Sequence, residues 1–81
     1  MVELLLLGRP DCGLCEEFLA ALVEAFPALA STLRYVDVDD HAGWRGRYGH
    51  VIPVLIDGDG TEICQTHFDA AALQRYLDGE R

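Results

Sequence analysis

The sequence predicts one α/β domain spanning residues 1–81, a mixed four-stranded sheet with helices on both faces in the order β-α-β-α-β-β-α. Three observations lead there. An apolar run near the start is followed at once by an apolar stripe of helical period. Two further apolar runs meet at Asp57-Gly58-Asp59-Gly60, a strong hairpin signal. A right-handed crossover through the first helix makes the first two strands parallel, and the hairpin adds an antiparallel pair. At 81 residues the chain has room for one small core and no second domain.

Val2 to Leu7 reads as a short strand buried on both faces, ended by Gly8-Arg9-Pro10-Asp11. From Cys15, the apolar positions Cys15, Phe18, Leu19, Leu22, Val23 and Phe26 fall on one helix face, with Glu16, Glu17 and Glu24 on the others. Pro27 stops that helix. Leu33 to Val38 mixes β-branched, aromatic and charged residues as a second strand does. Asp39-Asp40 then opens a stretch reaching Tyr48, where Gly43 and Gly46 allow only a weak helix with Trp44 and Tyr48 as its packed face. Val54 to Ile56 and Thr61 to Gln65 form the hairpin strands. Asp69 caps a last helix from Ala70 to Leu77, Phe68 and Leu73 are spaced as a hydrophobic staple, and Gly79 marks its end.

Composition excludes several classes of function. Apolar residues make up 51% and charged residues 25%, a globular balance and not a disordered one. Fourteen acidic residues against six Arg and no Lys give a formal net charge of -8, which repels nucleic acid and anionic membrane surfaces. Leu4 to Leu7 is too short for a signal-peptide core or a membrane span, so a soluble cytoplasmic monomer is expected.

Three cysteines do not make a disulfide framework. Cys12-Gly13-Leu14-Cys15 suits a redox pair better than structural zinc, which normally needs four ligands and hence a second pair of Cys or His. Across the first turn of a helix, two cysteines three apart can close and reopen a disulfide. Cys12, at the helix start, meets unpaired backbone N–H groups and the positive end of the dipole, and is the candidate nucleophile. Cys15 heads the apolar stripe and is the candidate resolving thiol. Two readings stay open beside this one: a pair of buried small hydrophobes, and half of a zinc site. Arg9 on the same turn favours a thiolate and draws an anionic substrate, whereas Asp11 beside the nucleophile opposes both. His50 is either a plain loop residue or a group that tunes Cys12. Cys64 is either a core thiol or a regulatory one.

The order of elements, the Cys-x-x-Cys at the head of the first helix and Ile52-Pro53 before the hairpin resemble a glutaredoxin, the minimal member of the thioredoxin superfamily. The resemblance implies a thioredoxin-like (glutaredoxin-like) fold and a cis proline at Pro53 lying against the redox pair. It also implies that the backbone of Ile52 hydrogen-bonds a substrate peptide or glutathione. Val51-Ile52-Pro53 is similar to the family's Thr-Val-Pro segment. Arg9 matches its basic residue three places before the nucleophile, His50 its basic residue before the proline segment, and Asp69 its Asp at the last helix. The chain departs in two places: Asp11 replaces the usual aromatic residue, and Cys64-Gln65 replaces the double glycine. Both departures predict poor use of glutathione.

The expected function is therefore thiol–disulfide exchange through Cys12 and Cys15, reducing protein or glutathione mixed disulfides, with no bound cofactor or metal required. Glutathione is a possible co-substrate; glutathione or a reductase returns the electrons, and a cytoplasmic disulfide-containing or glutathionylated protein is the partner. Two other functions stand beside it. One is an iron–sulfur carrier, since Cys12-Gly13-Leu14-Cys15 also resembles the Cys-Gly-Phe-Ser site of monothiol glutaredoxins. The other is a redox-silent module whose proline edge only holds peptides.

Overall fold

A strand of consecutive leucines has no polar face, so it must be covered on both sides, and Leu4–Gly8 (β1) lies at the centre of the sheet accordingly. The structure is a computed structural model and describes residues 3–79. The sheet order is β2-β1-β3-β4, with β2 at Leu33–Asp37, β3 at Val54–Asp57 and β4 at Glu62–Gln65. β1 runs parallel to β2, pairing Leu4 with Leu33 and Gly8 with Asp37, and antiparallel to β3, pairing Leu7 with Val54. The predicted mixed sheet, with β1 and β2 parallel and the hairpin antiparallel, is thus the observed one.

Strand alternation divides the leucines between two cores. Leu4, Leu6 and Leu55 face Phe18 and Leu22 of the first helix, α1 (Gly13–Ala25), and Leu73 of the last, α3 (Ala70–Gly79). Leu5, Leu7, Val54 and Ile56 face Val38 and the short helix α2 (Ala42–Tyr48), which presents Tyr48 and Trp44. Truncating a wholly buried leucine such as Leu6 to Ala costs about 2–5 kcal/mol. No helix among the described residues is long and apolar enough to cross a membrane.

Several boundaries differ from expectation for local reasons. β1 extends to Gly8 because Gly8 still pairs with Asp37, while Val2 lies outside the described residues. β2 ends at Asp37, whose carboxylate accepts the Asp39 N–H at 2.9 Å and starts a 3₁₀ turn, so Val38 leaves the sheet and is buried in the second core. Pro27, which ends α1, opens another 3₁₀ turn over Pro27–Leu29. Thr61 is drawn out of β4 by its N–H bond to Asp57 Oδ1 at 2.8 Å. α3 runs through Gly79 and not only to Leu77. Its cap and staple are as predicted: the Ala72 N–H donates to Asp69 Oδ1 at 3.0 Å, and Phe68 packs on the core cluster that holds Leu73.

Candidate functional site

The site lies where β1 ends. Beyond Gly8 the chain turns through Arg9-Pro10-Asp11, and Asp11 takes a left-handed backbone (φ 59°), which Asp tolerates better than most residues. Cys12 then serves as the N-cap of α1: its Sγ accepts the Cys15 N–H at 3.2 Å, so an orphan donor of the helix start points at this sulfur. Cys12 and Cys15 are joined as a disulfide with their Cα atoms 5.2 Å apart. Cys12 is half-buried and Cys15 has no exposed surface. Leu14 between them is 44% exposed and leaves an apolar rim beside the partly open sulfur.

Gly8 lets three groups crowd together. A Cβ there would collide with the Tyr35 hydroxyl and stand 3.0 Å from Cys15 Sγ. That hydroxyl donates to the Arg9 carbonyl at 3.2 Å and so ties the turn to β2. Burial raises the Tyr35 phenol above its ordinary pKa, and the carboxylates of Asp37 and Glu16 add to the rise.

Arg9 does not present a free charge. Its guanidinium clasps Asp39 through Nε at 2.8 Å and Nη2 at 3.0 Å, and Nη1 donates to the Gly49 carbonyl at 3.1 Å. These hydrogen bonds to Asp39 push the Arg9 pKa up, and the same bonds hold the Asp39 carboxyl below its usual value. Arg9 therefore pins the end of β1 to the turn after β2 and to the end of α2. His50, next in the chain, is exposed and makes no hydrogen bond to the cysteines.

At the same end of the sheet, just before β3 pairs Val54 with Leu7, the Ile52–Pro53 peptide bond is cis. Thr66 holds this loop from the far side, its N–H donating to the Pro53 carbonyl at 2.6 Å and its hydroxyl to the Val51 carbonyl at 3.1 Å. Ile52 lies between these two anchored carbonyls, and its own N–H and C=O carry no hydrogen bond among the described residues. A groove of about 330 Å³ opens beside Thr66, lined also by Leu14, Glu17, Phe18, His67 and Phe68. The Phe18 and Phe68 rings meet edge to face at 5.5 Å in its floor. Asp69, just past the groove, spends its carboxylate on capping α3. Cys64 is half-buried and packs on the α1–α3 core. Burial pushes its thiol up; the Asp69 backbone N–H works the other way, and the Asp69 and Glu62 carboxylates reinforce the rise. Among the described residues, no group of three or more His, Cys, Asp and Glu side chains is placed to hold a metal ion.

Asp39 and Tyr35 are not singled out by the sequence, and Thr66, which with His67 lengthens the turn before the last helix, carries no sign there of its bonds to Val51 and Pro53. For Asp39 a signal existed, because pairing Gly8 with Asp37 in a parallel register brings the next turn of chain beside Arg9. Tyr35 and Thr66 act through close contacts that no spacing announces.

A central β1 leading into a Cys-x-x-Cys helix start, in a four-stranded mixed sheet flanked by helices, defines a thioredoxin-fold protein with a cysteine pair at disulfide distance. The family model described as Glutaredoxin-like domain (DUF836) matches residues 3–78, and the chain belongs to that family. An X-ray structure of a structural-genomics target protein from X. campestris is similar at 37% identity, covering 96% of this chain and 99% of that one with a TM-score of 0.72. A solution NMR structure of a protein from Nitrosomonas europaea has a TM-score of 0.80 at 26% identity, covering 93% of this chain and 89% of that one. Comparison with curated proteins gave no match.

Proposed function

We propose that the protein is a thiol–disulfide oxidoreductase in which Cys12 attacks and Cys15 resolves. The observation that carries this reading is the asymmetry of the pair: a half-buried Cys12 sulfur receives a helix-start N–H, while a fully buried Cys15 stands at bonding reach behind it. The Cys12 thiolate attacks one sulfur of a substrate disulfide, that S–S bond breaks, and the departing thiolate takes a proton from solvent. A mixed disulfide on Cys12 results. Cys15 then loses its proton and attacks Cys12 Sγ, forming the Cys12–Cys15 disulfide and releasing the second substrate thiol. Two electrons have passed to the substrate, and two glutathione thiols or one dithiol reductase return them.

The free N–H and C=O of Ile52 suit an extended substrate segment that pairs with them as a strand would, against the cis Pro53. The charges favour a protein disulfide over glutathione. Arg9 is neutralised by Asp39, Asp69 is engaged in its cap, and the net charge is -8, so little positive charge is free for the carboxylates of glutathione. A disulfide-bearing or glutathionylated protein of the cytoplasm is the substrate class this supports.

Separate roles for the two cysteines are tested by trapping. Cys15→Ser should accumulate a mixed disulfide with a disulfide reagent and Cys12→Ser should not, as read by intact mass. Equal labelling of the two variants would defeat the assignment.

A further inference from the structure

Thr66 has a φ of +70°. A β-branched side chain in the left-handed region is a genuine outlier, and such conformations persist where the surroundings need something the residue supplies. Glycine would adopt this backbone freely, so the requirement is for the side chain. Its hydroxyl supplies one specific bond, to the Val51 carbonyl at 3.1 Å, while its backbone N–H takes the Pro53 carbonyl at 2.6 Å. Two carbonyls that flank Ile52 are thereby turned toward Thr66, and the N–H and C=O of Ile52 between them are left without a partner among the described residues.

We infer that Thr66 is a positioning residue for substrate docking: its hydroxyl and N–H clamp the carbonyls on either side of Ile52 and keep the Ile52 backbone presented to an extended disulfide-bearing segment. This rests on the reading of the chain as a disulfide exchanger. Thr66 touches neither sulfur in any hydrogen bond, so its effect falls on docking and not on thiol reactivity. It also lines the groove between α1 and the turn from β4 to α3.

The test compares two disulfides that share a leaving group. In a Cys15→Ser background, one probe is hydroxyethyl disulfide, which has no peptide backbone; the other is an extended cysteinyl peptide carried as its mixed disulfide with mercaptoethanol. Thr66→Val keeps the shape and loses the hydroxyl. It should slow reaction with the peptide about threefold to tenfold, the worth of one hydrogen bond, and leave the hydroxyethyl disulfide rate unchanged. Thr66→Ser should restore the peptide rate. Thr66→Gly relieves the backbone and removes the hydroxyl together, so it should keep Tm within a few degrees yet react with the peptide as slowly as Thr66→Val. A wild-type peptide rate in Thr66→Val, equal slowing with both probes, or no rescue by Ser overturns the inference. If the parent protein reacts with neither probe, the exchange reading itself has failed. The clamp is then judged from the backbone amide NMR signals of Val51 and Ile52, which Thr66→Val should shift and Thr66→Ser should not; unchanged signals in Thr66→Val count against it.

Discussion

The two ends of the sheet solve the same problem of turning the chain with opposite means. At the hairpin end, the left-handed position is Gly60 (φ 90°), where it costs no steric strain, and the turn is closed around one carboxylate. Asp57 Oδ1 accepts the N–H groups of Asp59 at 2.9 Å and Thr61 at 2.8 Å, while Oδ2 accepts the Tyr76 hydroxyl at 2.7 Å. At the cysteine end, the left-handed positions are Asp11 and Thr66, neither of them glycine, and the backbone of Ile52 is left unpaired. One end avoids strain at its turn; the other accepts strain and leaves the Ile52 backbone unpaired among the described residues. That contrast is what a folding end and a working end look like in one small sheet.

The largest expected effect is at the hairpin. Asp57→Ala removes the acceptor for the half-buried Tyr76 hydroxyl and for two turn amides, and losing these three hydrogen bonds should cost about 2–3 kcal/mol and lower Tm by roughly 8–20 °C, with thiol exchange below the transition unaffected. Calorimetry beside an exchange assay checks both halves. The same carboxylate sets an acid limb. Burial acts to raise its pKa, but the bonds from Tyr76, Thr61, Asp59 and Gly60 outweigh burial and hold it below the ordinary value. A depressed folded pKa gives stability that is present above the unfolded value of about 3.9 and is lost as pH falls through the folded one. Urea midpoints should therefore drop below about pH 4 in wild type, and less so in Asp57→Asn.

Next in size, the contrast in strain can be measured at each end. Gly60→Ala should destabilise by about 1 kcal/mol, whereas Asp11→Gly should be neutral or stabilising by less than about 1 kcal/mol. Destabilisation of similar size by both substitutions would erase the distinction between the ends. The smallest effect concerns charge. Asp39→Asn releases Arg9, and glutathione-dependent reduction of a small mixed disulfide should rise about twofold to threefold at low salt and return to the wild-type rate at high salt. An unchanged rate at low salt would mean that Arg9 does not limit the approach of anions.

The hairpin end was the legible one because its signals are local. The Asp-Gly repeats that mark its turn act within a few residues, as do the Asp69 cap and the helical spacing of Phe18 and Leu22 elsewhere in the chain. At the site, Cys12 and Cys15 were equally legible because their relation is contained in one helical turn. What escaped is non-local. Arg9 meets Asp39 across two strands, Tyr35 covers Gly8 from the edge of the sheet, and Thr66 reaches back to Val51, distant in the sequence. Reading Arg9 as a free cation needed only its place beside the motif; finding its partner needed the register of β1 on β2. The unexpected 3₁₀ turn at Val38–Asp40 has the same origin, since burial of Val38 in the α2 core overrides its strand propensity.

If the protein exchanges disulfides as proposed, Cys12 and Cys15 form one reversible redox couple while Cys64 stands apart. Equilibrating the protein in glutathione redox buffers, alkylating the free thiols and mapping them by mass spectrometry tests this directly. Cys12 and Cys15 should lose their thiols together over one transition and regain them on reversal, with Cys64 alkylated throughout. A pair that stays reduced in every buffer, or a disulfide that includes Cys64, would contradict it.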